Sequence, residues 1–366
     1  MKTSIAGIEL KKIVSELKFI EGSRIDKIYH PSKKHLILQL HVPGRGKTII
    51  RILVGKLLFK TDIKPEAAEP DSFCMFLRKQ LGAARIIKLE QLGNERIVRI
   101  EFSGQIIMYI ELFGKGNIIL CDNEDKIINV EEKQVWKDRS LVKDELYKYP
   151  KKDYDYLSIN AEQLKWLSED KKINIVKLLA VELGIGGVYA EEICHIAGVD
   201  KEAKQLDDEQ SERIVQAIYE IRSRNPEPSI VMEKGAVKDI VLFPLKIYEG
   251  YEFEKTSTYN EALDKIYSEQ LLYFEEAEKM QKYNEKLQKA QKIIDEQKKT
   301  INELQKKHEQ NQKIAEKIYE NYQIVNEILE ELRKARKKFS LQEINEKLKG
   351  HKITVSKDWK VKVELN

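Results

Sequence analysis

The adjacent pair Glu95-Arg96 is one candidate for recognition chemistry in the sequence. Arg96 shares the alternation of Val98, Ile100 and Phe102, so we expect it at the mouth of a strand whose same face enters the core. An arginine beside a carboxylate is commonly a surface ion pair, worth under about 1 kcal/mol. A guanidinium fixed at such a position also suits a phosphate or an unpaired base. Residue types alone favour the ion pair and leave an RNA contact as the alternative.

A glycine-rich turn is the second candidate. Leu183-Gly184-Ile185-Gly186-Gly187-Val188 lies between two stretches with helical periodicity and resembles a helix-hairpin-helix turn. Glycines there let backbone amides approach a phosphate at the start of the next helix. A tight connection between packed helices explains the same pattern, and the turn itself holds no Lys or Arg.

Motifs of conventional catalysis are missing from the sequence. It has no phosphate-binding loop, no zinc-protease helix and no nucleophile elbow, and its six histidines lack the paired spacing of metal ligands. Cys74, Cys121 and Cys194 are far apart, which favours buried, reduced thiols over a zinc site or disulfides. We therefore predict no catalytic residues, no metal site and no cofactor.

Charge is distributed unevenly along the 366 residues, whose formal net charge is +4. Residues 1–150 hold 27 Lys/Arg and 20 Asp/Glu, a net +7, and the remaining 38 basic and 41 acidic residues give −3. A basic front half suits nucleic acid but is also common on soluble domains. No apolar run reaches the roughly 18 residues of a membrane span, and the start lacks the apolar core of a signal peptide. These features predict a cytoplasmic protein without a membrane partner.

Periodicity places these residues on an α+β framework. A helix around residues 10–17 precedes strand-like runs at 25–29, 35–42 and 48–54, a second helix runs from Asp71-Ser72 to Gly82, and further strands follow at 85–89, 96–102, 106–112 and 117–121. We therefore predict that residues 1–150 form an α+β domain with antiparallel sheets. Residues 151–258 are expected to form a helix-hairpin-helix domain with connecting strands.

Residues 259–337 carry the pattern of a coiled-coil helix. Apolar residues recur every seven positions at Ile266, Tyr273, Met280, Leu287, Ile294 and Ile301. The second core position is weak, with Gln270, Asn284 and Lys298, which favours intramolecular or antiparallel pairing over a parallel zipper. Residues 338–366 are expected to form a short helix and strands that are part of a further, middle domain.

Five stretches resemble the NFACT family in content and in order. They are Ile8-Glu9-Leu10, the segment from Gly22-Ser23-Arg24 to Ile28-Tyr29, residues 73–78, Gln91-Leu92-Gly93-Asn94-Glu95-Arg96-Ile97-Val98, and Glu111-Leu112-Phe113-Gly114-Lys115-Gly116-Asn117-Ile118-Ile119-Leu120. The family also follows its first domain with helix-hairpin-helix elements and a coiled coil that carries a middle domain. The resemblance therefore spans the whole chain.

This resemblance implies a role in ribosome quality control. Such proteins bind a large ribosomal subunit that holds an obstructed peptidyl-tRNA, and they recruit tRNA for untemplated carboxy-terminal tailing. The ribosome performs peptidyl transfer, so the protein is not expected to be an enzyme. The family's carboxy-terminal RNA-binding domain is expected to be absent from this chain, and the helix that would pair with residues 259–337 is expected beyond Asn366. The unpaired heptad helix is then expected to seek a second copy as a homodimer.

The resemblance also assigns residues to tRNA binding. The family's Asp-Arg pair falls on Glu95-Arg96, and another acidic family position falls on Glu9, so Arg96 is retained and both acids are Glu where Asp is commoner. This carry-over favours the RNA contact at Arg96. Arg78, Lys79 and Arg51 are weaker candidates for tRNA binding.

Three rival functions stay open on the sequence. Some bacterial NFACT proteins are described as fibronectin-binding surface proteins, although no signal peptide is visible here. The first two domains are similar in plan to formamidopyrimidine-type DNA glycosylases, but Lys2 replaces their amino-terminal proline and the cysteine spacing cannot build their zinc finger. A coiled-coil scaffold without a nucleic-acid role is the third.

Overall fold

Helix α1 (Gly7–Leu17) forms where apolar residues recur three and four positions apart, and Leu10, Ile13, Val14 and Leu17 are all buried. The computed structural model describes residues 4–64, 69–150 and 152–364, and of these all side chains outside 269–286. The chain divides into two units, Met1–Tyr273 and Phe274–Asn366. Its architecture is α+β with antiparallel sheets, which confirms the predicted fold class.

The first sheet is a four-stranded antiparallel meander. Its strands are β1 (Arg24–Ser32), β2 (His35–Val42), β3 (Gly46–Leu53) and β4 (Leu57–Thr61), which pair in chain order. The runs predicted at 25–29, 35–42 and 48–54 correspond to the first three strands, whereas the sequence did not indicate β4. Most residues of β2 and β3 are buried irrespective of the face on which they lie.

The second sheet is the one next to Arg96, which lies directly before one of its strands. Helix α2 (Ser72–Leu81) precedes five antiparallel strands in chain order, β5 (Ile86–Gln91), β6 (Ile97–Phe102), β7 (Ile106–Glu111), β8 (Asn117–Asp122) and β9 (Ile127–Val130), and then a small hairpin of β10 (Gln134–Val135) and β11 (Ser140–Leu141). Val98, Ile100 and Phe102 enter the main core, as their alternation predicts. Ile97 faces a second apolar cluster with Tyr109 and Tyr147.

Residues 161–255 add a helical layer and a third sheet to the same unit. The elements are α3 (Ala161–Lys171), α4 (Ile175–Lys177), a π-helical turn Leu178–Glu182, α5 (Gly187–Ala197), α6 (Asp208–Ser223), β12 (Ser229–Glu233), β13 (Ala236–Val241) and β14 (Glu252–Lys255). The three strands are antiparallel with β12 in the centre.

The helix predicted over 259–337 is present as two segments. They are α7 (Tyr259–Glu320) and α8 (Tyr322–Arg336), interrupted at Asn321, and α9 (Leu341–Lys347), β15 (Ile353–Val355) and β16 (Val361–Val363) follow. The first turn of α7 is anchored because the Glu16 carboxylate accepts hydrogen bonds from the backbone amides of Tyr259 at 3.0 Å and Asn260 at 2.8 Å.

The first seam residue, Ile266, is only 9% exposed, whereas the later seam residues whose side chains are described are exposed. Leu287 is 53%, Ile294 44% and Ile301 53% exposed. The seam positions Gln270, Tyr273, Met280 and Asn284 lie outside the described side chains. A coiled-coil partner for this helix stays a prediction.

The cysteines and the apolar character of the helices are the next features of the fold. Cys74, Cys121 and Cys194 are buried and form no disulfide, as their spacing predicts. Within the described ranges, no helix has both the length and the apolar character that a bilayer crossing requires.

His30 on β1 ties α2 and the end of β9 to the first sheet. Its Nδ1 lies 2.9 Å from Oδ2 of Asp71, the residue that caps α2, and its Nε2 lies 3.4 Å from Oε1 of Glu131. Burial by itself would lower the pKa of His30, but the bonds to Glu131 and Asp71 outweigh it and raise that pKa above its ordinary 6.5. The folded protein therefore favours a protonated His30.

We expect His30→Gln to destabilise the protein more at pH 6 than at pH 9. A group whose folded pKa is raised contributes stability that is complete below the unfolded pKa and is lost as pH rises through the folded pKa. The loss near pH 6 should be about 1.5–3 kcal/mol, as for hydrogen bonds to charged groups. Urea denaturation at both pH values measures it, with the exposed His41→Gln as control. A difference that stays constant or grows with pH contradicts the assignment.

Candidate nucleic-acid interface

Arg96 stands directly before β6, and its side chain reaches the start of α1. Its Nη1 lies 3.3 Å from Oγ of Ser4 and 3.5 Å from the carbonyl oxygen of Ile5. Burial lowers the pKa of Arg96, and the neighbouring carboxylates of Glu95 and Glu9 oppose that effect. The contacts with Ser4 and Ile5 hold the guanidinium in place. Because the side chain is only partly buried, its charge still reaches solvent.

Glu9 is the buried acid behind Arg96. Its Oε2 accepts a hydrogen bond from the Ala6 amide at 2.7 Å, and its Oε1 accepts one from the Tyr189 hydroxyl at 3.0 Å. The Tyr189 hydroxyl in turn accepts from the Leu242 amide at 3.0 Å. Burial, with Glu9 next in effect, raises the pKa of Tyr189 well above its ordinary value, so the phenol stays a donor. Glu9 thus joins α1, α5 and the strand region near Leu242.

The glycine-rich turn packs against the same end of α1. Gly186 has φ +95°, and a Cβ built there would lie 2.6 Å from Cβ of Ala6. A Cβ on Gly7 would lie 2.6 Å from the carbonyl oxygen of Asn94 and 3.1 Å from that of Gly184. The turn is therefore a close connection between packed segments. It also begins α5 at Gly187, so a helix amino terminus borders the site.

Lys152 is a cation of this site that sequence reasoning missed. Its Nζ would lie 2.8 Å from a Cβ on Gly184. Burial lowers the pKa of Lys152, with Glu95 opposing that shift and Arg96 reinforcing it. Burial raises the pKa of Glu95, which Lys152 and Arg96 oppose. No periodicity or motif marks Lys152, because it lies in the irregular segment between β11 and α3.

These groups surround two adjoining spaces of about 290 and 560 Å³, which we call the Arg96 cleft. Both spaces are lined by Ala6, Arg96, Gly186 and Gly187; Glu9 lines the smaller, and Glu95 and Lys152 line the larger. The fold thus brings together the two sequence candidates, the Glu95-Arg96 pair and the glycine turn. Within the described ranges, no group of three or more His, Cys, Asp or Glu is placed to hold a metal.

A model of the NFACT amino-terminal and middle domains matches residues 6–366. The chain belongs to the NFACT family. This confirms the resemblance drawn from its short motifs.

Named relatives of this NFACT chain are ribosome quality-control factors. It is 32% identical over 370 residues to the archaeal Rqc2 homolog aRqcH of Methanocaldococcus jannaschii, a match that covers 96% of this chain and 55% of that protein. It is 32% identical over 135 residues to the human ribosome quality control complex subunit NEMF, covering 36% of this chain and 12% of that one. The chain spans about half the length of the archaeal relative.

Solved structures show the same fold at low identity. The amino-terminal part of the fibronectin/fibrinogen-binding protein of Streptococcus suis superposes with a TM-score of 0.57 at 21% identity, covering 73% of this chain and all of that one. The fibrinogen-binding protein of Staphylococcus aureus superposes with a TM-score of 0.56 at 20% identity, covering 72% of this chain and 98% of that one. At such identities the likeness establishes the architecture alone.

The burial of Arg51 contradicts the prediction that this residue of the NFACT chain binds tRNA. Its side chain on β3 is only 1% exposed, so it cannot meet tRNA as predicted. Burial lowers the pKa of its neighbour His35 to about 4, and the charge of Arg51 adds to that shift. Arg51 is therefore an internal charge of the first sheet. Its position on a strand buried from both sides was not visible in the sequence.

Arg78 and Lys79 on α2 line neither space of the Arg96 cleft. Nε and Nη2 of Arg78 donate to the carbonyl oxygen of Ile28 at 2.9 and 2.7 Å, so its guanidinium holds α2 to β1. Lys79 is exposed. A tRNA contact at either residue stays a prediction.

Proposed function

We propose that this protein is a non-enzymatic ribosome quality-control factor that binds tRNA through the Arg96 cleft. In this proposal it associates in the cytoplasm with a large ribosomal subunit that holds an obstructed peptidyl-tRNA, and it recruits tRNA for untemplated carboxy-terminal tailing. Family membership supports the general role. The observation that carries the tRNA assignment is the convergence of Arg96, Lys152 and the amino terminus of α5 on one open cleft.

The chemistry of the cleft suits an RNA backbone beside an unpaired base. A guanidinium forks onto phosphate oxygens or stacks on a base, and the amides at a helix amino terminus favour an anion. Glu95 and Glu9 lie beside the two cations and limit the positive charge, so the cleft is suited to one oriented contact. The resemblance gives Asp as the commoner family residue at both acidic positions, and Glu is one methylene longer.

A salt series with labelled tRNA tests this function. We expect the protein to bind tRNA at low salt and to lose affinity as salt rises, because phosphate contacts release counterions. Duplex DNA with and without a damaged base, and immobilised fibronectin, are the comparison ligands. Preference for damaged duplex favours the glycosylase-like alternative, and binding to fibronectin without tRNA favours the adhesion alternative. Absence of tRNA binding at low salt contradicts the proposal.

A second copy of the chain is the partner we propose for the exposed heptad seam. Burying Leu287, Ile294 and Ile301 on a matching helix removes apolar surface from water at about 25 cal/mol per Å². We expect sedimentation velocity to show a concentration-dependent dimer that Ile294→Glu abolishes, while Lys299→Glu, at an exposed position outside the two seam positions, leaves it in place. A monomer at all concentrations contradicts this proposal.

A further inference from the structure

A second cleft lies beside the Arg96 cleft, against the β10–β11 hairpin. It encloses about 440 Å³ and is lined by Glu111, residues 113–116 and residues 132–136. We call it the hairpin cleft. Trp136 at its margin is 50% exposed and Val135 is 72% exposed, so the hairpin presents an apolar tip to solvent. The exposed Lys115 and Lys133 also line the cleft.

Arg139 holds Trp136 from one side. The backbone amide of Trp136 donates to the carbonyl oxygen of Arg139 at 2.8 Å, and Cζ of Arg139 lies 5.4 Å from the centre of the Trp136 ring. Arg139 is itself fixed, because it donates to the buried Glu111 carboxylate and lies over the ring of Tyr147 at 5.5 Å. The indole is therefore positioned by its neighbours while half of its surface stays free.

The two clefts share a wall. Phe113 lines both the larger space of the Arg96 cleft and the hairpin cleft. The Leu112 amide also donates to the carbonyl oxygen of Arg96 at 2.8 Å, which joins the segments that carry them. Phe113 therefore separates the space that Arg96 lines from the space that Trp136 lines.

We propose that the hairpin cleft is a second RNA subsite, in which Trp136 stacks on an unpaired base of the tRNA that the Arg96 cleft holds. The inference rests on the proposed tRNA function and adds a residue and a surface to it. Single-stranded nucleic acid is bound by aromatic platforms beside cations that follow the backbone. Trp136 is the platform and Lys115 and Lys133 are the cations, and the wall at Phe113 that this cleft shares with the Arg96 cleft favours a loop of the same RNA as the occupant.

The test compares tRNA affinity in Trp136→Ala, Trp136→Phe and Trp166→Ala. Trp166 is 52% exposed on α3 and lines neither of the two clefts, so it is the matched control. We expect Trp136→Ala to weaken binding at least about fivefold, which equals about 1 kcal/mol and is the lower end for stacking on one base. Trp136→Phe should stay within about threefold of wild type because phenylalanine keeps a stacking face.

A spectroscopic readout separates stacking from a structural effect. In a chain with Trp166→Phe and Trp359→Phe, Trp136 is the remaining tryptophan, and we expect tRNA to quench its emission. Unchanged emission, or equal affinity in wild type and Trp136→Ala, overturns the subsite and points to a protein partner for the hairpin. If wild type binds tRNA in that case, the proposed function survives. Failure of wild type to bind tRNA overturns both.

Discussion

Arg96→Ala is expected to weaken tRNA binding more than about tenfold, or about 1.4 kcal/mol. The guanidinium is held by Ser4 and Ile5 over the start of α1 and is partly desolvated, so its contact with a phosphate or a base is stronger than that of a solvated cation. Its removal also takes away one of the cations that offset the Glu95 carboxylate beside the cleft. Fluorescence anisotropy with labelled tRNA across a salt series measures the loss.

Arg99→Ala is the matched control for that measurement. Arg99 lies on β6, which Arg96 directly precedes, and its side chain has the opposite alternation. Its Nη1 pairs with Glu90 and Glu101 at 3.0 Å each. Arg99→Ala removes one positive charge, as Arg96→Ala does, but outside the Arg96 cleft. We therefore expect an affinity for tRNA within about twofold of wild type, as for a peripheral charge. Equal affinities of wild type and Arg96→Ala would return Arg96 to an ordinary ion pair. Equal losses in both variants would reduce the cleft to general electrostatics.

Gly116→Ala is expected to lower the free energy of unfolding by about 3 kcal/mol or more. Gly116 has φ +65°, and a Cβ there would lie 2.2 Å from the nitrogen and 2.5 Å from Cα of Gly55. It would also lie 2.8 Å from the carbonyl oxygen of Glu111. These contacts are backbone atoms where the turn after β3 meets the turn after β7, so no side chain can rotate away. The two sheets must separate to admit the methyl group.

Gly114→Ala two residues away separates the two causes of that loss. Gly114 also has positive φ, at +55°, but nothing lies within 4 Å of its added Cβ. We expect it to cost about 1 kcal/mol, the strain of the left-handed backbone alone. Urea denaturation followed by circular dichroism compares the two variants. Similar values for both would mean that the sheets do not meet as closely at Gly116 as the structure has them.

Local periodicity was sufficient to predict several helices and strands of the fold. Helix α2 runs from Ser72 after its Asp71 cap to Leu81 before Gly82, because capping and glycine act within a few residues of chain. The position of Arg96 at the mouth of β6 followed equally from alternation, since side chains on a strand change face at every residue. The predicted long helix of residues 259–337 required only a sustained helical pattern. Its break at Asn321 was not predicted.

The composition of the cleft was decided by tertiary structure. Lys152 reaches Gly184 and Glu95 from an irregular segment, and Tyr189 meets Glu9 across 180 positions of the sequence. Arg51, a surface candidate by residue type, is enclosed because β3 is covered on both faces. The sequence by itself determined the local elements and one anchoring arginine. The other charges of the cleft depend on contacts between residues far apart in sequence. Such contacts form only when separate elements pack on one core, so local sequence periodicity does not predict them.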